Sequence, residues 1–251
     1  MTKINNPHDK YFKKTMRKKA NAKSFFKIYL PANITGQLDF NTLSIVKDSF
    51  VSAELQEKFS DIIYKVAAKK GVYFIFLLFE HQSTIDRWMH LRFLGYIKEF
   101  YDLYIEQNPG IKKLPGIIPI VFYHGKQPWN VSTHSLDIIE SYDAIEEFIP
   151  KFNYKLLDFS PMSDLQIKGT VVLQLFLGIM KNINSLRFKE HFIKMLPLFV
   201  KLSNQKTGMG YLVTTLKYIF EVSDLTPADI EKKLIPAIEK NKRGEIMTLA
   251  E

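Results

Sequence analysis

The spacing of apolar residues changes several times along the chain, and each change marks an element. From His8 to Leu30, Phe12, Met16, Phe25, Phe26 and Leu30 supply the apolar contacts of a first helix over 8–30, which Pro31 stops. Residues 38–51 are mixed and leave room for a short strand. Two strongly apolar runs follow, Ile62-Ile63-Tyr64-Lys65-Val66 and Val72 to Phe79, separated by Ala68-Lys69-Lys70-Gly71. That pattern predicts a β-hairpin. Asp86 is placed to cap a long helix over 87–107 that carries Met89, Phe93, Tyr96, Phe100 and Tyr104 and ends at Asn108-Pro109-Gly110. Pro115 to Tyr123 reads as a buried strand whose Pro119 suggests an edge or a bulge, and His124-Gly125-Lys126 turns out of it.

From Leu136 onward the character changes. Helical spacing runs over 165–181, 186–202, 210–222 and 227–240, punctuated at Pro161, Pro197, Gly208 and Pro227. These patterns predict a mixed α/β domain over 1–135 and an all-helical region over 136–251. Helical character continues to Leu249-Ala250-Glu251, which leaves room for a C-terminal extension.

The hairpin also carries chemistry. Opposed residues in an antiparallel pair have position numbers with a constant sum, and a turn centred between Lys70 and Gly71 sets that sum at 141, which opposes Asp61 and Glu80. Gln82 shares the face of Glu80 by alternation, whereas His81 points the other way. Like charges placed opposite each other are costly, and a hard divalent cation would relieve that cost. Solvated strand ends are the plainer alternative.

Composition narrows the chemistry. The chain has no cysteine, which removes disulfides, thiolate catalysis and Cys-ligated zinc. Its 35 Lys and Arg against 26 Asp and Glu give a net charge of +9, which suits a polyanionic partner. The start lacks the apolar core of a signal peptide, and the longest apolar run, Val72 to Phe79, is too short to span a bilayer. A cytoplasmic protein with no membrane partner is expected.

Five segments occur in one order: His8-Asp9-Lys10-Tyr11-Phe12-Lys13, Ser60-Asp61-Ile62-Ile63-Tyr64-Lys65-Val66, Glu80-His81-Gln82-Ser83, Met89-His90-Leu91-Arg92-Phe93-Leu94-Gly95-Tyr96 and Ile118-Pro119-Ile120-Val121-Phe122-Tyr123-His124-Gly125. Together they resemble the recombination-promoting nuclease and transposase family, a branch of the PD-(D/E)XK nucleases. The resemblance covers about 8–130 and implies a restriction-endonuclease-like α/β core of helix, strand, β-hairpin, helix and strand, followed here by the helical C-terminal region.

It implies Asp61 and Glu80 as metal ligands for Mg2+ (or Mn2+), and Asp61, Glu80 and Gln82 as the catalytic set. Gln82 stands where the superfamily usually has lysine, so it can orient by hydrogen bonds but cannot supply charge. Asp9 is a candidate additional carboxylate, and Glu54 a weaker one.

The implied activity is that of a Mg-dependent DNA endonuclease of low sequence specificity, linked to recombination or mobile elements. The alternative is a catalytically degenerate nuclease fold acting as a nucleic-acid-binding or protein-interaction module. Lys13, Arg17, Lys18 and Lys23 of the first helix are the candidate DNA contacts, a solvated helix face being the plainer role for each. DNA is the expected partner, and a homo-oligomer is left open.

Overall fold

The computed structural model describes residues 6–46, 62–80, 85–140, 143–240 and 243–247. The chain forms two compact units, one of Met1–Ile28 with Met162–Glu251 and one of Tyr29–Pro161. The sheet runs past the expected boundary at residue 135, because a four-residue strand at Lys155–Asp158 joins it. That strand is too short to leave a period in the sequence.

In the first unit, the segment read as one helix is two: α1 (Pro7–Met16) and α2 (Lys19–Tyr29). The break has a local cause. The Thr15 carbonyl accepts the Asn21 side-chain amide at 2.9 Å, so a side chain takes the place of the next helical N–H. Asn6 opens α1 by accepting the Asp9 N–H at 3.3 Å, with Pro7 in the first turn. Four later helices belong to the same unit: α5 (Val171–Asn182), α6 (Phe188–Ser203), α7 (Gly208–Val222) and α8 (Pro227–Lys233). A short turn, α9 (Gly244–Met247), follows them. Helix α6 runs through Pro197, which the sequence marks as punctuation. Helix α1 packs on α5 and α7.

The second unit, which also carries the short α3 (Ala32–Thr35), is a five-stranded sheet in the order β1-β2-β3-β4-β5. Strand β1 (Leu38–Ile45) pairs antiparallel with β2 (Ile62–Ala68), and β2 with β3 (Gly71–Glu80). Strand β3 is parallel to β4 (Gly116–Tyr123), and β4 to β5 (Lys155–Asp158). Helix α4 (Met89–Gln107) connects β3 to β4, as parallel neighbours require.

The β1–β2 ladder slips between Asp39 and Ser44, where the Thr42 hydroxyl accepts the Ala67 N–H at 2.8 Å in place of a backbone oxygen. The hairpin turns through Lys69-Lys70, with Gly71 at φ 93°. A side chain would be strained at that angle. The described β2–β3 pairs, from Ala68↔Gly71 to Ile62↔Leu77, keep a sum of 139 rather than the expected 141. The turn is therefore one position earlier than the sequence suggested, because Gly71 belongs to the strand and not to the loop.

Strand β3 is buried on both faces, with Ile75, Phe76 and Leu77 each at 0 % exposure. Its uninterrupted apolar run is what a central strand requires. On one face Phe74, Phe76 and Leu78 join Ile63, Val121 and Tyr123 against Met89, Phe93, Tyr96 and Phe100 of α4. Those four helix positions follow the i, i+4, i+7, i+11 stripe of a helix lying on a sheet. Pro119 proves to be in an interior strand. It precedes the first β4–β5 pair, Ile120↔Lys155, so its missing N–H falls where β5 has not begun. The Asp86 carboxylate accepts the Trp88 N–H at 2.8 Å, so it caps the turn before α4 rather than the helix itself, which starts at Met89. No described helix is long and apolar enough to cross a membrane.

Candidate functional site

Asp61 and Gln82 lie outside the described residues, as do Glu54 and His81. Glu80 is the last residue of β3, and its backbone pairs with Tyr123 at the end of β4. The two parallel strands thus finish together, at the end of the sheet where open α/β folds place their ligands. Among the described residues no three His, Asp or Glu side chains form a group able to hold a metal ion.

The end of β4 is rigidly built. Tyr123 is 1 % exposed, and its hydroxyl donates to the Gln127 carbonyl at 2.8 Å. A Cβ at Gly125 would collide with that hydroxyl, which explains glycine in the Tyr-His-Gly turn. Trp129 packs edge-on against Tyr123 at 5.1 Å, donates its indole N–H to the Val131 carbonyl, and gives its backbone N–H to Asp158.

On α4, Arg92 lies 3.8 Å from Asp86 and donates to the Tyr96 hydroxyl at 2.8 Å. Those contacts give it a structural role. His90 is 1 % exposed among Phe152 and Tyr154. Burial holds its pKa below the usual imidazole range, with the Thr133 backbone and the Asp137 carboxylate pulling the other way.

The remaining candidates belong to the helical unit. Asp9 is 8 % exposed; one carboxylate oxygen meets Lys13 at 2.9 Å and the other has no partner among the described residues. Lys13 is thereby neutralised. Lys18 stands 5.3 Å over the Tyr211 ring, Arg17 is exposed, and Lys23 is half-buried. The structure also gathers Lys10, Lys14 and Lys217 around a cavity of about 350 Å3 between α1 and α7. Lys10 and Lys14 share a face by i, i+4 spacing, which the sequence could have shown. Lys217 is more than two hundred positions away in the chain, and only the fold brings it there. His8 bonds the Tyr218 hydroxyl through Nδ1 at 2.7 Å, a structural contact.

Comparison with known proteins identifies the class. Residues 6–210 match the family described as "Putative transposase, YhgA-like". The chain belongs to this recombination-promoting nuclease and transposase family. It is 31 % identical over 162 residues to the recombination-promoting nuclease RpnA of Escherichia coli K12, covering 64 % of this chain and 54 % of that protein. It is 33 % identical over 128 residues to the recombination-promoting nuclease RpnD of Escherichia coli O157:H7, covering 50 % and 49 %. The chain thus spans about half the length of these two relatives. The inactive recombination-promoting nuclease-like protein RpnE of Escherichia coli K12 is 24 % identical over 250 residues, covering 95 % of this chain and 82 % of its own. No solved structure matches.

Proposed function

We propose that this protein is a divalent-metal-dependent DNA endonuclease of low sequence specificity, on a PD-(D/E)XK-type core, acting in recombination or on mobile elements. The observation that carries the reading is a doubly buried central strand ending at Glu80, in a chain of a family whose relatives are named nucleases. The donor set fits magnesium or manganese. Asp61, Glu80 and Gln82 offer oxygens only, which hard cations prefer.

The reading requires Asp61 and Glu80 to share a face. Asp61 and Glu80 would hold the cation, which when bound polarises a water and offsets charge on the scissile phosphate. Gln82 would orient that water or a phosphate oxygen by hydrogen bonding. DNA would be held mainly through its phosphates by the +9 chain.

A second reading, a non-catalytic DNA-binding or protein-interaction module, draws on Gln82 in place of lysine and on the likeness to a relative named inactive. Plasmid nicking with magnesium against EDTA separates the two. The nuclease reading expects cleavage only with metal, slowed about 100-fold by Gln82→Ala and preserved by Gln82→Lys. Absence of cleavage with magnesium or manganese, with DNA binding intact, would favour the second.

A further inference from the structure

A cavity of about 680 Å3 opens in the sheet unit, lined by Ile85, Arg87 and Trp88 ahead of α4 and by residues from Gln127 to Ile138 beyond β4. Both segments leave the carboxyl ends of the parallel strands β3 and β4. The wall is joined to the end of β3 in two steps. Glu80 pairs with Tyr123, and the Tyr123 hydroxyl holds the Gln127 carbonyl.

The lining has an unusual combination of groups. Trp88 is 59 % exposed, although an indole gains from burial. Arg87 has no ion-pair partner among the described residues and is exposed. Gln127 and Asn130 add two side-chain amides, each able to donate and accept. The far wall is braced, because Asp137 accepts from the Ser132 hydroxyl and the Trp129 indole ties down Val131. The site is therefore largely formed in advance, with one flat aromatic face, one cation, the Asp137 carboxylate engaged by Ser132 and an amide pair, in a volume typical of small-molecule sites.

We propose that this cavity receives one unpaired nucleotide of the DNA substrate. The base stacks on the Trp88 indole, Arg87 meets its phosphate, and the Gln127 and Asn130 amides bond its edge. A base offers the flat π-face and the mixed donor and acceptor edge that this lining matches. The assignment rests on the proposed nuclease reading for its substrate class, and gives that enzyme a preference for distorted or single-stranded sites. Unpairing costs least there.

The test is equilibrium binding by fluorescence anisotropy in EDTA, which needs no cleavage. The full chain and its Trp88→Ala and Trp88→Phe variants are titrated against a labelled single-stranded oligonucleotide and its duplex. Loss of one stacking contact should weaken single-strand binding about 10-fold in Trp88→Ala. Trp88→Phe should restore most of it, and duplex affinity should change by less than about 2-fold. Equal losses on both DNA forms, no loss on either, or no binding of single strands by the wild type would overturn the assignment. Failure of plasmid nicking with the single-strand effect intact would remove the nuclease reading and leave the nucleotide site standing.

Discussion

In the helical unit a hydrogen-bonded polar cluster is set into the apolar core. Thr15 and Thr215 are fully buried; Thr15 contacts the Tyr211 hydroxyl at 2.5 Å, and Tyr11 contacts Thr215 at 3.1 Å. Tyr11 stacks on Tyr218 at 4.2 Å, and Tyr218 is bonded in turn to His8. In the sheet unit the cluster against α4 is largely apolar, though Tyr96, Tyr123 and Tyr154 belong to it, and neither ring nitrogen of His90 has a well-formed hydrogen bond among the described residues. The contrast follows from how each unit fixes its register. The apolar alternation of the strands and the turn geometry set the sheet's register. Helices can slide and rotate, and directional bonds between α1 and α7 select one arrangement.

The two centres also differ in their response to pH. Burial raises the Tyr11 phenol to about 12 and moves Tyr211 and Tyr218 upward as well. A raised folded-state pKa gives stability that is complete below the ordinary phenol value and is lost as pH climbs through the folded one. The helical centre is thus insensitive to pH until strongly alkaline conditions. His90 works in the opposite direction. Its lowered pKa gives stability that is present above the ordinary imidazole value and is lost as pH falls below it.

The largest expected effect that would break this comparison is in the sheet unit. Phe100 is 2 % exposed and meets Phe74 at 4.7 Å and Phe76 at 5.2 Å, so Phe100→Ala should cost about 3–5 kcal/mol in urea unfolding. A cost below about 1 kcal/mol would mean that the α4-to-sheet core is not the main support of that unit. In the helical unit, Thr15→Val keeps the shape and removes one hydrogen bond of the Tyr211 hydroxyl, for a cost of about 1 kcal/mol. Adding Tyr211→Phe should recover part of that loss. Simple additivity in the double-mutant cycle would show that the polar cluster is not coupled.

DNA affinity gives a smaller effect. Changing Lys10, Lys14 and Lys217 to Ala should lower the slope of log K against log salt by up to about 0.9 for each phosphate that is no longer neutralised. Changing Lys13 and Lys18 should lower it less, since Asp9 and the Tyr211 ring already engage them. The smallest effect is thermal. The drop in Tm between pH 7.5 and 5.5 should shrink in His90→Phe, and an undiminished drop would mean that His90 is not the acid-sensitive group.

What the sequence made legible depended on periods long enough to read. The run from Val72 to Phe79 announced the second hairpin strand, and the apolar spacing after Asp86 announced the long helix that follows it. The break after Met16 depends on a side chain five positions further on, Asn21, reaching back to Thr15, and apolar spacing does not record that. The hairpin register missed by two in its sum because Gly71 was read as loop. Strand β5 has only four residues, and Lys217 joins Lys10 and Lys14 only through the packing of α7 on α1. For the site, the described structure adds the joint end of β3 and β4 at Glu80 and Tyr123, whereas Asp61 and Gln82 rest on sequence motif alone.

The most direct test of the central claim is nicking of supercoiled plasmid by purified wild type, Asp61→Asn and Glu80→Ala with magnesium, with thermal unfolding of all three as the control for folding. The account predicts metal-dependent nicking by the wild type, and a loss of at least about 100-fold in each variant at unchanged Tm. Cleavage at the wild-type rate by either folded variant, or none by the wild type with any divalent metal, would contradict it.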